Sequence, residues 1–226
     1  MENTSSFNLE KVIEDAKSVI TNPVNIYRNM PKTGGFTEPV IFVIVLAFIA
    51  GAIFLVFSLF GGGLASVGLT ALIVLPIAML IGSFVSAAIM YLIWKLMGSN
   101  YNYETAYRCV ASSMALAPVM ALVSVIPYLG TVVGVLWVMY LMFIASKEVH
   151  ELDEKKAMIT FGILAFFGVI INVSSENAAR NMQQNMGKFE EQMGRSMEDI
   201  NNMSPEEAGK AFGEFMRGME EGSKAN

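Results

Sequence analysis

Three long stretches of this chain carry no ionised side chain. They run from Pro39 to Trp94, from Cys109 to Ser146 and from Ala157 to Ser175. A water-soluble surface has to carry charge somewhere, so a soluble fold of this size cannot hide three such runs. Bilayer hydrocarbon is the solvent that suits them. Composition agrees: 54% of the 226 residues are hydrophobic and 15% are charged, against roughly 45–50% and about 25% in ordinary soluble domains. The net charge of −5 and the single cysteine argue against nucleic-acid binding, a disulfide framework and a multi-cysteine metal site.

A spanning helix needs ~20 apolar residues. The first run is more than twice that length and must fold back, with Gly61-Gly62-Gly63 as the break. The second folds back at Pro127-Tyr128-Leu129-Gly130. The expected fold is therefore all-α, a polytopic bundle of five transmembrane helices near 39–60, 65–96, 104–126, 130–147 and 157–175, the fifth being the shortest. Pro76 predicts a tilt or kink in the second helix and Pro118 a broken backbone bond in the third. Trp94, Tyr91, Tyr101, Tyr103, Tyr107 and Tyr128 fall near the helix ends, where aromatic belts form.

Charges outside the spans set the orientation. Arg28, Lys32, Lys95, Arg108, Lys147, Lys155 and Lys156 lie on one side; Arg180 and Lys188, with Arg195 at the limit, lie on the other. The positive-inside rule places the N-terminus in the cytoplasm and the C-terminus across the membrane. No apolar segment precedes Pro31, so the first span is expected to be an uncleaved anchor of a cell-membrane protein.

Three regions follow: a cytoplasmic arm (1–38), a five-span membrane domain (39–175) and a methionine-rich tail (176–226). In the arm, Leu9, Val12, Ile13, Ala16, Val19 and Ile20 recur at helical spacing, predicting an amphipathic helix on the membrane surface that ends at Asn22-Pro23. In the tail, Met182, Met186, Phe189, Met193, Met197 and Ile200 form one stripe. Ser204-Pro205-Glu206-Glu207 then starts another helix, striped by Ala208, Ala211, Phe212, Phe215, Met216 and Met219. The methionine stripe reads as lipid or partner contact rather than a soft-metal site, since no histidine or cysteine accompanies it.

The charge-free stretches lack the Asp, Glu, Lys, Arg or His that pumps, ion-coupled carriers and intramembrane proteases use at depth. The expectation is a non-enzyme with no catalytic residue, metal or cofactor. His150 sits in the carboxylate-rich loop 147–154 and reads as solvated. Cys109 reads as a packing residue. Ala78, Gly82 and Ser86 form one small-residue ridge and Gly130 and Gly134 another, for packing within the chain or between copies.

An ordered series of short motifs adds a resemblance. It begins with Asn22-Pro23, Ile26-Tyr27-Arg28-Asn29-Met30, Gly34-Gly35-Phe36 and Pro39. Lys95-Leu96-Met97-Gly98, Tyr103, Tyr107 and Pro118 follow. Ile126-Pro127-Tyr128-Leu129-Gly130, Trp137, Tyr140 and Glu148-Val149-His150-Glu151-Leu152 close it. Over roughly residues 20–175 this order resembles the Yip domain, named for Ypt/Rab-interacting membrane proteins. The resemblance implies five spans with a cytoplasmic N-terminus, and it marks Pro23, Gly34, Pro39, Gly98, Tyr107, Pro118, Pro127, Trp137 and His150 as family-motif or structural candidates. In eukaryotes the family engages prenylated Rab-type GTPases. This chain has a short arm and a long tail, which is similar to the prokaryotic branch, so that role is not carried over. The expected partners are membrane lipid, a second copy of the chain or another membrane protein. Two functions compete: a non-catalytic scaffold, and a passage for an uncharged or lipidic solute lined by the helices bearing Pro76 and Pro118, with the polar pair Ser112-Ser113.

Overall fold

The computed structural model describes residues 8–60 and 65–202, with isolated positions beyond. The Gly61-Gly62-Gly63 break, the side chains of Met197 and Ile200 and the body of the helix expected after Ser204 lie outside the described residues. The protein is all-α, and among the described residues five helical segments are long and apolar enough to cross a membrane.

Two short helices precede the spans. Helix α1 (Leu9–Thr21) starts where the Asn8 side chain accepts a hydrogen bond from the Lys11 amide at 3.2 Å. It ends at Asn22, and Pro23 opens α2 (Pro23–Arg28), a position where the missing proline N–H costs nothing. The apolar stripe of α1 is divided. Ala16 and Val19 are buried against the protein, while Leu9 and Ile13 stay exposed.

The first two spans are α3 (Thr37–Phe60) and α4 (Ala65–Met97), and Pro76 lies inside α4. They pair closely because two glycines remove side chains at the crossing. A Cβ on Gly51 would lie 3.1 Å from Leu72 Cα, and one on Gly68 would lie 2.8 Å from Leu55 Cα. Within the chain, a Cβ at Gly82 would meet nothing within 4 Å. Gly134 is a contact, with Met120 Sδ 2.9 Å from its would-be Cβ.

The third span is broken rather than continuous. Helix α5 (Tyr103–Ser113) gives way to a 3-10 turn at Met114–Leu116, and α6 (Ala117–Val123) resumes with Pro118 in its first turn. Proline cannot donate the α-helical bond, and the tighter turn absorbs the loss. This span is also the core of the bundle. Residues 105–111 are all buried, ringed by α2–α4 and α7.

Helix α7 (Leu129–Glu148) follows a turn in which Tyr128 is left-handed, with φ 62°. The last helix, α8 (Glu154–Asn202), is 49 residues long and runs on past residue 175. Over residues 154–195 only Ala157 and Phe161 are buried. The chain divides into two compact units, 1–174 and 175–226. In the second, Met182, Met186, Phe189 and Met193 are all exposed.

Candidate functional site

The polar side chains that matter gather at one end of the first unit, where α3 and α5 begin and α4 and α7 end. There the segment 22–36 is tied to the ends of the spans. Tyr27 is buried and donates from its hydroxyl to the Cys109 carbonyl at 3.1 Å. Burial first, and the nearby Cys109 second, push its phenol well above the usual range. Arg28 grips Glu148 with two hydrogen bonds of 2.8 and 3.3 Å. That hydrogen bonding raises the guanidinium above its ordinary value. Arg28 is largely exposed, so the pair sets register more than stability.

Lys32 extends the tie. Its ammonium donates to the Tyr101 hydroxyl and to Glu151 at 2.7 Å, and the Tyr101 hydroxyl donates to the same carboxylate at 2.7 Å. The bond from Lys32, then that from Tyr101, hold the Glu151 carboxyl below its usual range, while the bond to Glu151 raises Lys32. The backbone carbonyl of Lys32 accepts from Thr105 Oγ1 at 2.9 Å.

Beneath this network lies His150. It is 3% exposed, so the expectation of a solvated histidine is corrected. The chain turns inward after α7 because Glu151 adopts the left-handed conformation, φ 55°, and the Leu152 amide bonds back to the Ser146 carbonyl at 2.9 Å. The imidazole stacks on Trp94, with centroids 4.0 Å apart, and meets the edge of Tyr101 at 5.7 Å. Its Nδ1 lies 2.7 Å from Ser99 Oγ and its Nε2 lies 4.0 Å from Cys109 Sγ. The Tyr101 amide donates to Ser99 Oγ at 3.3 Å. Burial, then Lys32 and Lys95, push the imidazole down to about 3. A base that weak, facing no opening, is poorly matched to proton transfer near neutral pH. The trio of Ser99, His150 and Cys109 is thus arranged as a structural joint, and Trp94 adds to it by donating to Ser146 Oγ at 2.7 Å.

Arg108 stands apart. It lies in the second turn of the third span, so that span does carry a buried cation near its start, and its side chain is 6% exposed. One guanidinium nitrogen donates to the Gly35 carbonyl at 2.8 Å. Glu104 and Glu38 approach only to 3.6 and 3.9 Å, and the buried Nε has no hydrogen-bond partner. The Glu104 carboxylate instead accepts from the Gly35 amide at 2.7 Å. The double glycine is required here. Gly34 has φ 131°, and a Cβ on it would lie 2.8 Å from an Arg108 nitrogen.

Cavities open at both levels of the bundle. One, of about 460 Å³, opens between α1–α2 and the first turns of α3 and α5, and Arg108 lines it. The other, of about 470 Å³, lies beside the break in the third span and is lined by five methionines and other apolar residues, with Ser86, Ser113 and Asn172.

The motif residues sort accordingly. Pro23, Gly34, Pro39, Gly98 and His150 fall at the tied end. Pro23 and Pro39 are buried at helix starts, and Gly98 ends α4 with φ 105°. Tyr107 is fully buried, stacked on Phe84 at 4.3 Å and 5.3 Å from Phe36. Trp94 and Tyr107 therefore belong to the core and not to an aromatic belt. Pro118 marks the break in the third span. Pro127 lies in the turn at the opposite end, and Trp137 is half-exposed on α7 against the edge of Tyr140. Sequence reasoning missed Arg108, Trp94, Ser99 and Tyr27. The one available signal was Arg108 itself, a lone cation directly ahead of a charge-free run.

These features define a polytopic helical membrane protein whose N-terminal segment is bolted onto one end of its bundle. The family model of the Yip1 domain matches residues 17–174, and the chain belongs to that family. No curated protein and no solved structure matches it.

Proposed function

We propose that the protein is a non-catalytic scaffold of the cell membrane, with a cytoplasmic N-terminus and a C-terminus on the opposite side, that binds lipid or another membrane protein. One observation carries this reading: the division of labour among its side chains. The groups capable of chemistry, His150, Cys109 and Ser99, are buried and bonded to one another. The apolar surface is left open, above all on α8, where Ile163, Phe166 and Phe167 in the span and Met182 and Phe189 in the tail are exposed. Thioether and aromatic surfaces of this kind adapt to varied partners.

Photocrosslinking tests the proposal. A photoactivatable residue at Ile163 or Phe189 in living cells should give discrete adducts with a second copy, a membrane protein or phospholipid. Absence of adducts at both positions sinks it.

The methionine-lined cavity of about 470 Å³ favours a second reading, a passage for an uncharged or lipidic solute. It lies where Pro118 breaks the third span, and non-helical backbone at membrane depth is tolerated where it borders a cavity. Filling it with Gly134→Phe should abolish uptake of such a solute into vesicles. Unchanged uptake ends this reading.

A further inference from the structure

We propose that the cleft between α1–α2 and the first turns of α3 and α5 holds one zwitterionic phospholipid of the phosphatidylethanolamine type, its phosphate toward Arg108 and Lys11 and its ammonium toward Asp15 and Glu38. This deepens the scaffold reading and rests on its premise of a lipid ligand.

Arg108 is the first observation. A buried guanidinium has five N–H donors to satisfy. Here it makes one hydrogen bond, to the Gly35 carbonyl, and its buried Nε, ion-paired with Glu104, has no hydrogen-bond partner. The two nearest carboxylates stop at 3.6 and 3.9 Å. The same side chain lines a cavity of about 460 Å³, within the range of roughly 300–1,000 Å³ typical of small-ligand sites. A buried cation left short of acceptors beside an open cavity calls for an anionic oxygen, and phosphate suits the planar guanidinium fork.

Charge balance is the second. The cleft presents two cations, Lys11 and Arg108, and two carboxylates, Asp15 and Glu38. A net-anionic lipid or a free phosphate would satisfy the first pair and face repulsion from the second. A headgroup carrying phosphate and ammonium meets both.

Polarity is the third. Helices α3 and α5 both run inward from this end of the bundle. Ile41, Phe42 and Ala111 of the lining thus lie a turn deeper than Glu38 and Arg108. Phosphate at the mouth and apolar wall below is the order of a phospholipid. The cleft's outer wall is the amphipathic α1, whose Leu9 and Ile13 remain exposed.

The full-length protein, extracted in mild detergent, is to be examined by native mass spectrometry after exchange into phosphatidylethanolamine, phosphatidylglycerol or the soluble glycerophosphoethanolamine. Lys11→Glu and Ile41→Trp alter exposed side chains, so the fold is retained; Arg108→Gln is added with its thermal stability measured alongside. One phosphatidylethanolamine per wild-type chain is expected, with occupancy falling about tenfold or more in Lys11→Glu and Ile41→Trp. No retained lipid, preference for phosphatidylglycerol, saturation by the soluble headgroup alone, or equal retention in both variants overturns the site. If lipid is absent yet crosslinks at Ile163 or Phe189 persist, this site falls and the scaffold stands. If crosslinks fail while one phosphatidylethanolamine is held and lost in the variants, the site stands and only the α8 surface falls as a binding face.

Discussion

Trp94 lies flat against His150, ring centroids 4.0 Å apart and planes 23° from parallel. The pair joins the end of α4 to the loop between α7 and α8. Each ring is held at its edge as well, Trp94 by Ser146 and His150 by Ser99. Both rings are almost wholly buried. The joint closes the tied end of the bundle, and its energetics can be tested without knowing a ligand.

Ser146→Ala removes the acceptor of a buried indole N–H. An unmet buried donor costs about 1–3 kcal/mol. Thermal unfolding in detergent should show a lower midpoint, whereas exposed Thr33→Ala should leave it unchanged. An unaltered midpoint for Ser146→Ala would mean that the indole bond is not made.

Acid should loosen the same joint. His150 is held near 3 in the folded protein against 6.5 when free. Below pH 6.5 the unfolded chain takes a proton that the folded chain refuses, so stability falls as pH drops toward 3. The loss between pH 7.5 and 5 is about 2 kcal/mol, from ~1.4 kcal/mol per pH unit in the steep part. Glu151, with its carboxyl lowered, loses its contribution only below the ordinary carboxylate range, and the raised Lys32 and Arg28 act at alkaline pH. Denaturant titrations at the two pH values should therefore differ in wild type and nearly coincide in His150→Phe.

The glycines differ in what they tolerate. Alanine at Gly35 or Gly98 meets open space and suffers only the left-handed backbone, a cost of about 1–2 kcal/mol. Gly34→Ala adds a clash with Arg108. Its unfolding midpoint should fall furthest of the three, and a smaller fall than in Gly98→Ala would show that Arg108 moves freely.

Cys109 is fully buried and is the sole cysteine. A maleimide should leave the folded protein unlabelled for hours and label it fully in denaturant. Rapid labelling in mild detergent would contradict the burial of α5.

The spans were legible because hydrocarbon tolerates no ionised side chain, so gaps between charges mark them whatever the packing. Their ends were less so. The break after Ser113 could be read as a proline but not as a 3-10 turn, because that choice depends on what packs around Met114–Leu116. The helix through Ser174–Asn177 looked like two segments, since polarity changes there while helical register does not. His150 was misread for a related reason: its neighbours Glu148, Glu151, Asp153 and Glu154 are polar, and only the left-handed turn at Glu151 shows that the imidazole points inward. Arg108 was counted as a flanking charge, because a sequence does not reveal that segment 34–36 will cover it.

Cysteine accessibility in intact cells tests the central claim, a chain that crosses the membrane five times from a cytoplasmic start. In a Cys109→Ala background, Val125→Cys lies in the exposed turn between α6 and α7, and Thr33→Cys lies ahead of α3. A membrane-impermeant maleimide should label Val125→Cys from outside and reach Thr33→Cys only after the membrane is permeabilised. Labelling of both from outside, or of Thr33→Cys alone, would contradict the account.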